Sequence, residues 1–191
     1  MSRKLAIALL ALSVLSHWPI GHTDFTYDDR DFVEQNASLR SFDAALGAIL
    51  LPFPPEQPER GLYRPLTSLS YALDRAVFGD DSYGYHAVNV ALYALVVLLV
   101  YALARLYFCE PGGAGSCEPS GAGSWTAFAA ALLFSVHPVH CDAVDSISAR
   151  SELLALGWSC SSASSSAERE RKIVSGPSSP AMRTLFGWWC G

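Results

Sequence analysis

Residues 86–108, HAVNVALYALVVLLVYALARLYF, are an apolar run of 23 residues. A helix rising 1.5 Å per residue needs about 20 such residues to cross the hydrocarbon core of a bilayer. The middle of the run, Ala91–Ala104, carries no charge; His86 and Asn89 stand near one end and Arg105 near the other, where its head can snorkel toward water. In lipid a lone segment must satisfy its own backbone polar groups, so this run constrains the chain to helical architecture before any other feature is weighed. Composition agrees: 51% of the 191 residues are hydrophobic and only 16% are charged, against about a quarter charged in soluble domains. The formal net charge is −5, and the sequence has no basic cluster of nucleic-acid type, the run 168–172 alternating acids with bases, which argues against nucleic acid as a partner.

Two further spans are expected. Residues 5–20, LAIALLALSVLSHWPI, follow Arg3-Lys4. No A-x-A-like site follows them, so a span over about 5–21 is preferred to a cleaved signal peptide. A third span is expected over about 125–140, WTAFAAALLFSVHPVH, with Pro138 kinking or ending it. The Gly/Ser/Pro-rich stretch 110–124 reads as the loop between spans two and three. Keeping Arg3-Lys4 cytoplasmic places the acidic loop between spans one and two on the other face. Within that loop, Pro65 opens a segment with Leu66, Leu69, Leu73, Ala76 and Val77 at helical spacing, which predicts an amphipathic surface helix over 65–78. The expected fold class is all-α: multi-pass membrane helices and an extracytoplasmic loop carrying that surface helix. The Ser-rich tail, residues 158–191, is expected to be disordered.

Asp28-Asp29 follows the first span in FTYDDRD. Adjacent aspartates suit a turn or a helix cap. They also suit a carboxylate pair in which mutual repulsion prepares a base. Arg64, in YRP, reads as a phosphate contact or an interfacial anchor, and His86 as a residue at the mouth of the second span. In SVHPVHCDAVDSISARSELLAL, His137, His140, Asp142, Asp145, Arg150 and Glu152 gather ionisable groups at a membrane boundary, a default site hypothesis. Histidines at 137 and 140 without an accompanying carboxylate constellation assign no metal site. The five cysteines, at 109, 117, 141, 160 and 190, contain no CxxC and read as mostly structural or incidental. Asn36-Ala37-Ser38 is an N-glycosylation sequon, compatible with a lumenal face.

Taken together, YDD, YRPLTSLSYALDRAVFG, GYHAVNVALYALVVLLVYALARL and AALLFSVHPVHCDAVDSISARSELLAL resemble the transmembrane and tetratricopeptide-repeat proteins. That family is one of O-mannosyltransferases with the C-type glycosyltransferase fold, and the resemblance covers about residues 5–157. It implies mannose transfer from dolichyl-phosphate mannose to Ser or Thr hydroxyls, cadherin-type domains being among the protein acceptors. It implies Asp28 and Asp29 as the catalytic pair. Arg64, His86, His137, His140, Arg150 and Glu152 match family motif positions, with contacts to carrier or sugar as their implied roles. A divalent cation is compatible with the resemblance. The implied location is the endoplasmic reticulum membrane, or a bacterial plasma membrane for related architectures. The family continues after SELLAL with further spans and 34-residue repeats, whereas SCSSASSSAERERKIVSGPSSP stands here. Residues 1–157 are therefore expected to be the N-terminal part of the membrane domain and 158–191 an aberrant tail. The alternative to a working transferase is a catalytically inactive membrane fragment that acts through interactions.

Overall fold

The computed structural model describes residues 3–17, 24–55, 58–108 and 121–175. Every regular element among them is helical. The helices are α1 (Arg3–Ser16), α2 (Phe42–Ala48), α3 (Pro65–Phe78), α4 (Ser82–Phe108), α5 (Ala122–Ser135), α6 (His140–Asp145) and α7 (Arg150–Ser175).

The central helix is α4, against which α1, α5 and α7 all pack. Its face Tyr93, Val97 and Tyr101 repeats every four residues. That face meets Leu9 of α1, Ala127 and Ala131 of α5 and Leu153 of α7 in one apolar core. The small alanines of α5 pack directly on α4, and a Cβ at Gly157 of α7 would make only ordinary contact, 3.6 Å from Val96 Cγ2. Among the described helices α4 alone is long and apolar enough to cross a membrane. At 14 residues each, α1 and α5 extend only about 21 Å.

The expected third span is shorter than its sequence pattern. It begins at Ala122 and ends at Ser135, not at His140. Pro138 disfavours the helical conformation at His137 and has no amide to continue the ladder. The chain turns instead, and the Tyr93 hydroxyl donates to the Ser135 carbonyl at 3.0 Å, satisfying a helix-end acceptor. Of the expected first span, residues 18–21 lie outside the described residues.

The tail departs further from expectation. Residues 158–175, expected to be disordered, continue α7 as helix to Ser175; residues 176–191 lie outside the described residues. Serine is a modest helix former, and the hydroxyls of Ser159, Ser164 and Ser165 bond to carbonyls one turn back, which satisfies the hydroxyls without strengthening the helix. The segment AERERK adds good helix formers, with Glu168 four positions before Lys172.

A second core gathers the loop between α1 and α4. Phe25, Phe32, Val33, Leu39, Phe53, Tyr71, Tyr85 and Ile147 belong to it, with Phe32 and Phe53 stacked at 5.6 Å. Helix α3 occupies the residues predicted for the surface helix, started by Pro65 and ended by Gly79 at φ 65°. Its orientation inverts a soluble pattern: Thr67, Ser68, Tyr71, Ala72 and Asp74 are buried, whereas Leu66, Leu73 and Val77 face outward.

Candidate functional site

The inward polar face of α3 is explained by Arg150, the first residue of α7, which is completely buried. Its guanidinium donates to Asp74, to Asn89 Oδ1 at 2.7 Å, to the Tyr85 carbonyl at 3.0 Å and to Ser70 Oγ at 3.3 Å. It also lies 4.7 Å over the Tyr71 ring. Burial pushes the Asp74 carboxyl above its ordinary range, against the opposing pull of Arg150. The cluster ties α3, α4 and α7 together beneath the turn Ser146–Ser148.

That turn is gripped by side chains from four elements. Asp29 Oδ1 accepts from the Ser148 amide at 2.7 Å and from Ser146 Oγ at 3.3 Å. The Tyr71 hydroxyl donates to the Ile147 carbonyl at 2.6 Å, and Arg64 Nη1 to the Ser148 carbonyl at 3.3 Å. Asn89 Nδ2 donates to the Ser146 carbonyl at 3.0 Å. Burial also raises the Tyr71 phenol well above its usual value, which keeps it a neutral donor.

Above the turn opens a polar cavity of about 740 Å³. Its walls come from Thr26–Asp28, from Arg60 and Arg64, and from the run between Cys141 and Glu152. Carboxylates of Asp28, Asp142, Asp145 and Glu152 face it with the guanidinium groups of Arg60 and Arg64. Arg60 spans Asp31 at 3.1 Å and Asp28 at 3.8 Å and lies 4.8 Å over the Phe32 ring. Tyr27, on the rim, is 95% exposed and has φ 41°, a left-handed conformation costing a non-glycine residue roughly 1–2 kcal/mol.

A second, apolar groove of about 670 Å³ runs between the start of α3, α4 and α7. Leu66, Leu92, Leu95, Leu99, Leu153 and Trp158 contribute to it. Arg64 lines both spaces.

Of the eight site residues expected from sequence, Asp28, Arg64 and Glu152 line the polar cavity. Asp29 stands behind its wall, wholly buried. Arg150 and His86 are also buried and line neither space. His137 and His140 sit at the corner between α5 and α6, their ring centres 6.1 Å apart. His137 Nδ1 accepts from the Val139 amide at 3.2 Å, and His140 packs on the Phe134 ring at 4.2 Å. Burial, then repulsion from His137 and His17, lowers the His140 pKa. Among the described residues no three His, Cys, Asp or Glu side chains converge as metal ligands.

Sequence reasoning missed Arg60, whose role depends on a fold-back to Asp28 across 32 positions. It also missed the bond between His17 Nδ1 and Asp145 Oδ1 at 2.9 Å, which ties the end of α1 to the cavity wall. Asn89 carried the one available signal, a polar residue inside an apolar run.

The fold and site define a helical chain with a membrane-crossing candidate helix and a cavity of carboxylates and arginines beside an apolar groove. No family model matches the chain, and no solved structure matches it. It is 33% identical over 140 residues to the protein O-mannosyl-transferase Tmtc3 of Drosophila melanogaster, a match covering 67% of this chain and 15% of that protein. It is 31% identical over 151 residues to the protein O-mannosyl-transferase tmtc2 of Xenopus laevis, covering 75% and 16%. With TMTC1 of Mus musculus it shares 40% identity over 94 residues, covering 49% and 9%. The chain belongs to the transmembrane and tetratricopeptide-repeat family that these proteins represent. It spans about a sixth of the length of the first two.

Proposed function

We propose that the chain takes part in protein O-mannosylation, with a lipid-phosphate mannose as donor and a Ser or Thr hydroxyl as acceptor. The observation that carries this reading is the position of Arg64 between the polar cavity and the apolar groove. An amphiphile with a phosphate between sugar and hydrocarbon fits that arrangement: hydrocarbon in the groove, phosphate at Arg64, sugar in the cavity. The acceptor oxygen attacks C1 of mannose as the bond from C1 to the phosphate oxygen breaks. The lipid phosphate leaves with the bonding electrons, and the hydroxyl proton passes to the Asp28 carboxylate. The proposal extends to a dolichyl chain as the hydrocarbon, cadherin-type domains among the acceptors and a multi-pass endoplasmic reticulum location. The outward apolar stripe of α3 supports contact with lipid.

The test is mannosyl transfer from dolichyl-phosphate mannose to a Ser/Thr-containing acceptor by the full chain in lipid vesicles. Arg64→Ala is expected to raise the donor KM, and Arg64→Lys to recover part of it. Transfer that is insensitive to Arg64→Ala would remove the phosphate assignment.

A second reading is an interaction fragment without turnover. Donor bound without transfer is its expected outcome.

A further inference from the structure

We infer that Asp29 is a positioning residue that pins two walls of the polar cavity together, leaving Asp28 as the one carboxylate of the pair that meets substrate. The inference rests on the transferase reading for its chemistry and on geometry for the rest.

Adjacent residues ordinarily offer similar access to a ligand, but here the backbone separates them. The Asp29 amide donates to the Thr26 carbonyl at 2.8 Å, closing a tight turn around Tyr27, whose φ is 41°. Beyond it Asp28 lines the cavity with its side chain 64% exposed, whereas Asp29 is 0% exposed. Asp29 Oδ1 is occupied by the Ser148 amide and the Ser146 hydroxyl, partners more than a hundred positions away. These bonds join the wall Thr26–Asp28 to the wall that runs from Ser146 to Glu152. From the other side Arg64 holds the Ser148 carbonyl, so the single residue Ser148 links the neighbour of the candidate base to the candidate phosphate ligand. A buried carboxylate with its near oxygen engaged is out of reach of an acceptor hydroxyl. Asp29 Oδ2 has no hydrogen-bond partner among the described residues, so replacing it by an amide nitrogen loses none.

The full chain in dolichyl-phosphate-mannose vesicles is examined as wild type, Asp28→Asn, Asp29→Asn and Asp29→Ala. Hydrogen exchange at the Ser148 amide and mannosyl transfer are both read. Asp29→Ala is expected to speed Ser148 exchange by about tenfold or more, the loss of one charge-assisted bond. Asp29→Asn keeps the Oδ1 acceptor and restores protection, and Asp28→Asn leaves Ser148 protected. In turnover, Asp28→Asn lowers kcat by about a hundredfold or more, while Asp29→Asn recovers most of what Asp29→Ala loses. Asp29→Asn protected at Ser148 yet as inactive as Asp28→Asn overturns the assignment, as does Asp29→Ala exchanging no faster than wild type. If Asp29→Ala does not fold, the Asp29→Asn result alone decides. If the wild type transfers no mannose the transferase reading fails, and the exchange rates still decide whether Asp29 holds the turn.

Discussion

At the scale of single residues, chemical type and burial pull apart in this protein. Arg150 matches a motif position from which a carrier contact is implied, yet every polar contact it makes is internal. Arg150→Met leaves Asp74, Asn89 and the Tyr85 carbonyl without their donor. A loss of about 3–5 kcal/mol is expected, the usual cost of breaking a buried ion pair from one side. Chemical unfolding in detergent measures it; the paired change Asp74→Leu with Arg150→Met is expected to recover part of the loss. Asn36 carries a sequon but is 1% exposed. Its Nδ2 donates to the Phe32 carbonyl at 3.1 Å, and its Oδ1 accepts from the Ser38 amide and hydroxyl. A glycan on Nδ2 is incompatible with that packing. The chain from a eukaryotic membrane is therefore expected to show no mass shift on treatment with an N-glycosidase.

At the scale of elements, α3 and α4 show how a short connection sets the site. Gly79, at φ 65°, ends α3, and α4 begins at Ser82. The corner closes because Gly84 has no side chain: a Cβ there would lie 2.1 Å from Phe78 Cγ and 2.6 Å from Phe78 Cβ. Gly84→Ala therefore forces Phe78 and the end of α3 outward, at an expected cost of about 1–3 kcal/mol. Because α3 carries Tyr71 and Asp74 into the polar network, the same change is expected to loosen the Ser146–Ser148 turn. Thermal unfolding and exchange at Ser148 read the two effects. Elements were legible to different degrees. The proline start and apolar spacing of α3 predicted its residues, but not that Tyr71 and Asp74 would face inward. Helix periodicity defines a stripe; what the stripe meets is set by elements distant in the chain. The same applies to α7, where serine content outweighed the helix formers around it until packing of its first turns on α4 is considered.

At the scale of the molecule, the two cores divide the labour. One is a helical bundle around α4, and the other is an apolar layer built chiefly from the long loop. The exposed apolar residues Leu66, Leu73, Val77, Leu95 and Leu133 form outward surface of the kind that lipid covers. Expressed in cells, the chain is expected to stay with the membrane pellet through alkaline carbonate extraction; release into the supernatant would remove the membrane reading.

The sequence by itself determined that the chain is helical, that 86–108 is its dominant apolar segment and that α3 begins at Pro65. Each follows from local rules of hydropathy, periodicity and backbone restriction, which act over a few turns of chain. Only the tertiary structure decided that Asp28 faces the cavity while Asp29 is buried. It alone placed Arg64 between two spaces and made Arg150 a buried hub. Those outcomes depend on partners tens to more than a hundred positions away, and the burial that separates one aspartate from its neighbour exists only once those partners have met.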